Sequence, residues 1–246
     1  MHLEESNFYT EISKIHKSNL PFVIFRKPKS NILTAIAQKT AALYELTSFE
    51  QTGFIFAPFQ NKEKTVLFPT DLCNTFSSKI LKYTIEPKVN GNLKKENASV
   101  KEGHIKLVEK ALKYIEKGKA QKIVVSRKEN FKQPNFNALN TFKKIVAAYQ
   151  NAYVYLWFHP MVGLWMGASP EQLIHIQKNV FKTMALAGTR RYFDTEDVVW
   201  DDKEKIEQQI VTDYILKNIE GSIVNTKLSQ PYAVKAGSLM HIRTDI

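Results

Sequence analysis

The chain has 246 residues, a formal net charge of +11 and a single cysteine, Cys73. One cysteine excludes an intrachain disulfide, and the polar N-terminus has no apolar leader, so we expect a soluble cytoplasmic protein. No apolar run approaches the roughly 20 residues that cross a bilayer, so we expect no membrane association. The lysines are spread along the chain rather than gathered in one arm, which favours a solvated surface over nucleic-acid binding.

The first part of the chain is predicted to hold one helix and several short strands. Apolar residues at helical spacing predict a helix from Glu4 to Ser18. Short apolar runs closed by breaking residues predict strands at Pro21–Phe25, Ile32–Ala37, Gly53–Ala57 and Thr65–Phe68. The polar stretch from Glu86 to Val100 is predicted to be a linker or loop.

The second part is predicted to alternate strands with single helices. The predicted helices are Ile105–Ile115, which Gly118 is placed to end, Phe136–Gln150 and Asp202–Glu220. The predicted strands are Lys122–Ser126, Ala152–Phe158, Val162–Met166, Leu173–Ile176, Val180–Leu186 and Leu239–Ile246. This order predicts an α+β fold with antiparallel sheets backed by helices.

The last predicted strand alternates strictly, with His241, Arg243 and Asp245 on one face and apolar residues or threonine on the other. A strand needs partners on its open edges. The ending therefore fits either an edge strand or a fragment of a longer protein.

Glu171 has two interpretations. Ser169 and Pro170 are residue types that cap and open a helix, where a glutamate is favoured by the free amides. Alternatively, Glu171 is a general acid, because burial between the flanking apolar segments would favour its protonated form.

Lys122 and Glu207 are also candidates for chemistry. Lys122 opens an apolar run, where it either reaches water or serves as a general base in a cleft. Glu207 shares a helical stripe with Ile210, Val211 and Tyr214, so it needs a cation, a donor or a metal such as magnesium. A simple ion pair with Lys203 is the alternative.

Gly188 is predicted to end a strand, followed by Thr189, Arg190 and Arg191. Glycine lets a ligand approach the backbone, where amides and a hydroxyl can bind a carboxylate. The alternative is a β-turn with two surface arginines. The nucleotide-binding, zinc-protease and paired-cysteine motifs are absent from the sequence.

Taken together, these segments resemble the chorismate-utilising enzymes, which include isochorismate and salicylate synthases and the large components of anthranilate and aminodeoxychorismate synthases. The resemblance is carried, in order, by Lys122–Arg127, Gly167–Glu171, Leu186–Arg191, Asp202–Gln209 and His241–Thr244. It covers about residues 100 to 246, which implies an N-terminal region of weak resemblance (1–99) and the first part of a chorismate-binding domain (100–246).

The resemblance implies a role for each matching residue. Lys122 corresponds to the lysine that activates water for attack at C2 of chorismate, and Glu171 to the acid that protonates the departing C4 hydroxyl. Glu207 corresponds to a ligand of Mg²⁺, the implied cofactor. In the family, the substrate pocket is lined at the positions that correspond to Ala187, Gly188 and Thr189.

The resemblance also favours one reaction within the family. The aminating relatives have glutamine in place of Lys122, and aminodeoxychorismate synthases have a nucleophilic lysine in place of Ala187. We therefore expect an isochorismate synthase that adds water to chorismate. A salicylate synthase and a non-catalytic homologue or basic binding module stay open as alternatives. Both the menaquinone and the siderophore pathway, and any oligomeric state, are compatible with the sequence.

Relatives continue well past the strand that matches Leu239–Ile246. The expected fold interleaves early and late strands, and the later part carries further magnesium carboxylates. We therefore expect a C-terminally truncated chain that has no synthase activity by itself.

Overall fold

Short strands, four α-helices and one 3₁₀ helix (Thr70–Leu72) are the regular elements of the part of the chain that the structure, a computed structural model, describes: residues 1–60, 63–81, 98–192 and 198–246. The helices are α1 (Glu5–Lys17), α2 (Ala98–Glu116), α3 (Ala138–Ala148) and α4 (Asp202–Ile219). The strands are β1 (His2–Leu3), β2 (Phe22–Arg26), β3 (Ile32–Gln38), β4 (Tyr44–Glu45), β5 (Gly53–Phe56), β6 (Val66–Pro69), β7 (Cys73–Lys79), β8 (Tyr153–His159), β9 (Gly163–Ser169), β10 (His175–Gln177), β11 (Val180–Lys182), β12 (Met184–Arg191), β13 (Tyr232–Ala236) and β14 (Leu239–Asp245). None of the four helices, as described, is long and apolar enough to cross a bilayer.

The chain forms two compact units, each built from two stretches of sequence. The first contains Met1–Pro87 and Asn137–Glu171, and the second contains Lys88–Phe136 and Gln172–Ile246. All strand pairs are antiparallel except the short β1–β7 pair, among the residues described. The predicted α+β class with antiparallel sheets is therefore confirmed.

The first unit is built on a six-stranded sheet of order β1-β7-β3-β2-β8-β9. Strand β2 lies inside this sheet, and its first three residues, Phe22–Ile24, are fully buried, as expected for a continuous apolar run. Helix α1 buries Phe8 and Ile12 in the same core. Helix α3 adds Phe142 and Val146, and begins where the Asn137 side chain accepts a hydrogen bond from the Asn140 amide at 2.8 Å.

A smaller sheet of order β4-β6-β5 belongs to the same unit and contributes to an aromatic cluster. Phe56 stacks on the buried Trp157 with ring centroids 4.3 Å apart, and Phe68 stacks on it at 5.7 Å. Aromatic contacts of this kind add to the area that they bury. They fix the small sheet against the centre of β8.

The fully buried polar residues of the first unit include Arg26 and His159. The Arg26 guanidinium donates to the carbonyls of Gln150 at 2.7 Å and Ala152 at 3.0 Å, so it holds the loop between α3 and β8. The His159 ring accepts from the Met161 amide at Nδ1 and lies 3.3 Å from the Ala42 carbonyl at Nε2. These partners require the neutral ring with its proton on Nε2.

The second unit has a three-stranded sheet of order β12-β14-β13, and α4 packs on one of its faces. Strands β10 and β11 form a hairpin across Lys178 and Asn179, as predicted. Helix α2 ends at Glu116, and Gly118 just beyond it has φ +67. The Gly118 amide donates to the Ile115 carbonyl and the Lys119 amide to the Tyr114 carbonyl, which satisfies the helix end as predicted.

Several predicted elements differ from the structure. Lys122–Ser126 is not a strand, because no strand pairs with it among the described residues, and the Val124 side chain is 81% exposed. No helix begins at Ser169 and Pro170, since Ser169 ends β9 and the chain stays irregular up to β10. Gly188 does not end a strand, since β12 continues to Arg191.

The predicted strand Val180–Leu186 is divided at Thr183 between β11 and β12, which belong to different sheets. The other predicted helices and strands are confirmed with shifts at their ends. The predicted linker from Glu86 to Val100 lies outside the described residues up to position 97, and its last three residues belong to α2. Strands β1, β4, β7 and β13 were not predicted, because they are short or carry polar residues on both faces.

Candidate active site

A buried polar contact fixes α4 on the sheet of the second unit. The Gln208 side chain donates to the hydroxyl of Thr244 on β14 at 2.8 Å and to that of Thr212 at 3.0 Å. All three residues are buried, so these hydrogen bonds satisfy groups that water does not reach. The contact sets the rotation of α4, and it turns Glu204, one helical turn earlier, toward the sheet.

The stripe predicted for Glu207 is therefore displaced around the helix. The buried positions are Gln208 and Thr212, whereas Tyr214 is exposed. Glu207 lies beside this buried stripe and is 37% exposed. Its position leaves the carboxylate at the margin of the helix–sheet contact rather than beneath it.

Lys122 and Glu207 lie in direct contact. The Lys122 ammonium donates to the Glu207 carboxylate, with Nζ 3.0 Å from Oε1. The partner of Glu207 is therefore Lys122, 85 residues away in the chain, rather than the neighbouring Lys203. The irregular segment after α2 thus brings one predicted catalytic residue onto the predicted metal ligand.

A β-bulge at Gly188 divides the predicted substrate-binding residues between the two faces of the sheet. Ala187 lies opposite Ile242 and Thr189 lies opposite His241, so Gly188, with φ +72, is the extra residue. Ala187 is therefore on the face that α4 covers and is 7% exposed. Thr189 is turned to the other face, although regular alternation would place it beside Ala187.

Gly188 also lies directly against α4. A Cβ atom at this position would meet the Glu204 Cβ, the Glu204 carbonyl and the Ile242 side chain, each at 3.2 Å. The close approach of strand and helix therefore requires glycine here, for both space and backbone conformation. It also places the Gly188 backbone beside the acidic first half of α4.

Arg190, which follows the bulge, is on the helix-covered face. Its guanidinium forms an ion pair with Asp201 and lies 3.4 Å from the Glu204 carboxylate. The predicted alternative of a turn with two surface arginines is wrong for this residue, since Arg190 is half-buried and paired. Glu204 and Glu207 are thus each neutralised by a basic side chain from another segment.

His241 was not assigned a role from the sequence, and the structure places it at the bulge. Its Nδ1 lies 3.1 Å from the Thr189 hydroxyl and 3.2 Å from the Gly188 carbonyl. The sequence signal for the position of His241 was the strict alternation of the last strand, which placed it on the face opposite to that of Ile242. Its contact with Thr189 depends on the bulge, which that alternation does not reveal.

Glu171 ends the first unit, whereas the other candidate residues all belong to the second. The Ser169 hydroxyl accepts from the Glu171 amide at 3.3 Å and donates to the Glu171 carbonyl at 3.1 Å. These bonds fix the backbone of Glu171 in a local turn. Its side chain is exposed, so the burial that the flanking apolar segments predicted is not found.

The carboxylates on α4 are hard oxygen ligands of the kind that Mg²⁺ binds. In the described part of the chain, no three acidic, histidine or cysteine side chains cluster as a complete metal site. An ammonium group nevertheless occupies the position of a cation on Glu207. Among the described residues, Glu207 could therefore hold a metal ion only together with ligands that the protein side chains around it do not supply.

A cavity of about 670 Å³ opens at the other end of the same sheet. Its lining includes Lys182, Met184, Ile219, Arg243 and Ile246. None of the predicted site residues lines it. Since Gly188 and Thr189 lie toward the opposite end of β12, we take that end rather than this cavity as the candidate active site.

Comparisons with known proteins bear on the family and the fold of the chain. The sequence model of a family described as chorismate binding enzyme matches residues 48–246. The fold is similar to that of MenF, the menaquinone-specific isochorismate synthase from Escherichia coli, with TM-score 0.59 and 15% identity over 92% of this chain and 64% of MenF. It is also similar to DhbC from Bacillus anthracis, described provisionally as a 2,3-dihydroxybenzoate-specific isochorismate synthase. For DhbC the TM-score is 0.65 and the identity 15%, over 95% of this chain and 70% of DhbC.

No curated protein sequence matches the chain. At 15% identity the two structures establish a shared fold, and the chain spans about two thirds of the length of each. The family model covers most of the sequence, including every candidate site residue. The chain therefore belongs to the chorismate-binding enzyme family.

Proposed function

We propose that this chain is the isochorismate synthase part of a chorismate-utilising enzyme, which converts chorismate to isochorismate. The observation that carries the proposal is the contact between Lys122 and Glu207, at 3.0 Å. It joins a candidate base and a candidate metal ligand that are far apart in sequence. Membership of the chorismate-binding family gives the substrate class.

In this proposal Lys122 takes a proton from a water molecule, whose oxygen then forms a bond to C2 of chorismate. The double bond shifts, and the bond between C4 and its hydroxyl breaks. The ammonium held by Glu207 has no lone pair, so Lys122 must leave the ion pair and give up one proton to solvent before it can accept a proton from water. The presence of lysine at this position favours water over ammonia as the nucleophile.

Glu171 is the proposed acid that gives a proton to the departing C4 hydroxyl, which leaves as water. One water enters and one leaves, so the reaction is an isomerisation and needs no oxidant or reductant. The Ser169 hydroxyl holds the Glu171 backbone on both its amide and its carbonyl. Such a turn fixes the backbone of a catalytic residue whose side chain is itself exposed.

Glu207 is the proposed ligand of Mg²⁺. When bound, this ion would neutralise a carboxylate of the substrate and orient it beside α4. Gly188 and Thr189 are the proposed binding residues for anionic groups, with the Thr189 hydroxyl on the face of the sheet away from α4. Ala187 has no nucleophilic atom, which supports addition of water rather than covalent attachment of the substrate.

Product analysis tests the proposal. The full-length protein should convert chorismate to isochorismate with added Mg²⁺, as followed by chromatography. Lys122→Ala and Glu171→Gln should each abolish this conversion, and near-parental turnover by either variant would refute its assigned role. Formation of salicylate and pyruvate would instead indicate a salicylate synthase.

The 246-residue chain by itself is proposed to be inactive. It spans 64% of MenF and 70% of DhbC, so about a third of each of those folds has no counterpart in it. Measurable magnesium-dependent conversion of chorismate by the purified chain would contradict this proposal. Binding of chorismate without turnover would agree with it.

A further inference from the structure

We infer that Lys122 is an internal competitor of the metal ion at Glu207, so that a divalent cation binds there only by displacing the lysine. The inference rests on the proposed function, since it takes Glu207 as the metal ligand. It adds that the contact between Lys122 and Glu207 couples the role of Lys122 as a base to the role of Glu207 as a metal ligand. The metal-free site is closed by its own lysine, and metal binding is what releases that side chain.

The contact geometry supports direct competition. Lys122 Nζ is 3.0 Å from Glu207 Oε1, which is a charge-assisted hydrogen bond. A magnesium ion bound to this carboxylate would lie about 2.0–2.1 Å from an oxygen. An ammonium and a divalent ion therefore cannot both stay on the same carboxylate without strong repulsion between their charges.

The pair is partly sheltered but still able to open. The side chains of Lys122 and Glu207 are 24% and 37% exposed. Ion pairs with this degree of exposure are weak, so a divalent ion can break the contact. Lys122 also comes from an irregular segment, whose backbone is not held by a sheet among the described residues. Displacement of the lysine therefore does not require a strand to unpair.

The neighbouring carboxylate is neutralised in the same way. Glu204, one turn earlier on α4, lies against Arg190, which also pairs with Asp201. Arg190 has two carboxylate partners and belongs to a strand that is paired in a sheet. Among the residues described, Lys122 has one carboxylate partner and belongs to a segment that is not paired with any strand. Of the two cations, Lys122 is therefore the one that a metal displaces.

Metal binding to the purified 246-residue chain tests the inference without any measurement of turnover. We would titrate the protein with Mn²⁺ as the probe and follow free Mn²⁺ by electron paramagnetic resonance. Lys122→Met, which keeps the length of the side chain but removes the charge, should bind Mn²⁺ about five- to tenfold more tightly than the parent. Lys122→Arg keeps the charge and should show no such gain.

Lys205→Met is the matched control. Lys205 is on the same helix, 61% exposed and 3.6 Å from Asp202, so this variant removes the same charge without touching Glu207. Its affinity for Mn²⁺ should stay within about twofold of the parent. Circular dichroism checks that each variant folds, and Lys122→Gln replaces Lys122→Met if the latter does not.

The outcomes separate the inference from the function that it rests on. Equal affinity of Lys122→Met and the parent, with weaker binding by Glu207→Gln, would overturn the competition and leave Glu207 as the ligand. Parental affinity in Glu207→Gln would overturn both the metal role of Glu207 and the competition. A gain in Lys122→Met that disappears in the double variant with Glu207→Gln would support the inference.

Discussion

The substitution Gly188→Ala tests whether the bulge in β12 is as tightly constrained as the structure indicates. Gly188 has φ +72, a conformation that costs a residue with a side chain about 1–2 kcal/mol. The new Cβ would also lie 3.2 Å from three atoms, one of them the Glu204 carbonyl oxygen. This oxygen is part of the helix backbone, so relief requires a shift of α4.

The two effects together predict a loss of about 2–5 kcal/mol, since overpacking typically adds 1–3 kcal/mol to the backbone term. Such a loss is a large share of the stability of a typical domain, which is about 5–15 kcal/mol. Urea unfolding followed by circular dichroism measures the loss. Hydrogen exchange in peptides from β12 and α4 shows whether it belongs to the second unit.

Two other glycines provide controls. Gly118 has φ +67 with nothing within 4 Å of an added Cβ, so Gly118→Ala should show only the backbone cost of about 1–2 kcal/mol. Gly103 lies within α2, also with nothing within 4 Å, and Gly103→Ala should stabilise by about 0.5–1 kcal/mol. Equal losses in Gly188→Ala and Gly118→Ala would refute the packing argument.

Three further predictions concern buried polar groups. Burial lowers the pKa of His159, against the opposing effect of the Ala42 carbonyl. As the pH falls, the His159 ring therefore binds a proton in the unfolded chain before it does so in the folded protein. Urea unfolding should show that the free energy of unfolding decreases as the pH drops below about 6.5. This decrease should be absent in His159→Gln. Thr244→Val removes the acceptor of the buried Gln208 amide and should cost about 1–3 kcal/mol by the same measurement, whereas Thr244→Ser should cost much less. Arg26→Met leaves several carbonyls unpaired and should lower the thermal midpoint of unfolding by at least about 6 °C. An unchanged midpoint would contradict the stabilising role of the buried Arg26.

The sequence was most informative where structure depends on nearby residues. The helical spacing of Phe8, Ile12 and Ile15 predicted α1, and Gly118 predicted the end of α2. Alternation in the last strand predicted that Ile242 and Thr244 share one face, and both are buried in the structure. These features are set by contacts within one element or between one face and a core, so local pattern suffices.

Prediction failed where a residue depends on a distant partner. The apolar run from Lys122 to Ser126 has the composition of a strand, but composition does not supply the neighbour that a strand needs. Lys122 and Glu207 were each singled out, whereas their contact depends on how the segment after α2 meets α4. The bulge at Gly188 likewise depends on the register with β14, which sequence spacing does not encode.

The interrupted layout of the first unit has a consequence for synthesis on the ribosome. Strand β2 pairs with β8 from Phe22 to Phe158 at one end and from Arg26 to Val154 at the other. At about 5–20 residues per second, β8 is made roughly 6 to 26 s after β2. During that interval one edge of a highly apolar strand has no partner from its own sheet, and exposed edges of this kind attract other chains. We therefore expect nascent chains that stall before β8 to depend on chaperones, and chains that have passed Phe158 to be released from that dependence.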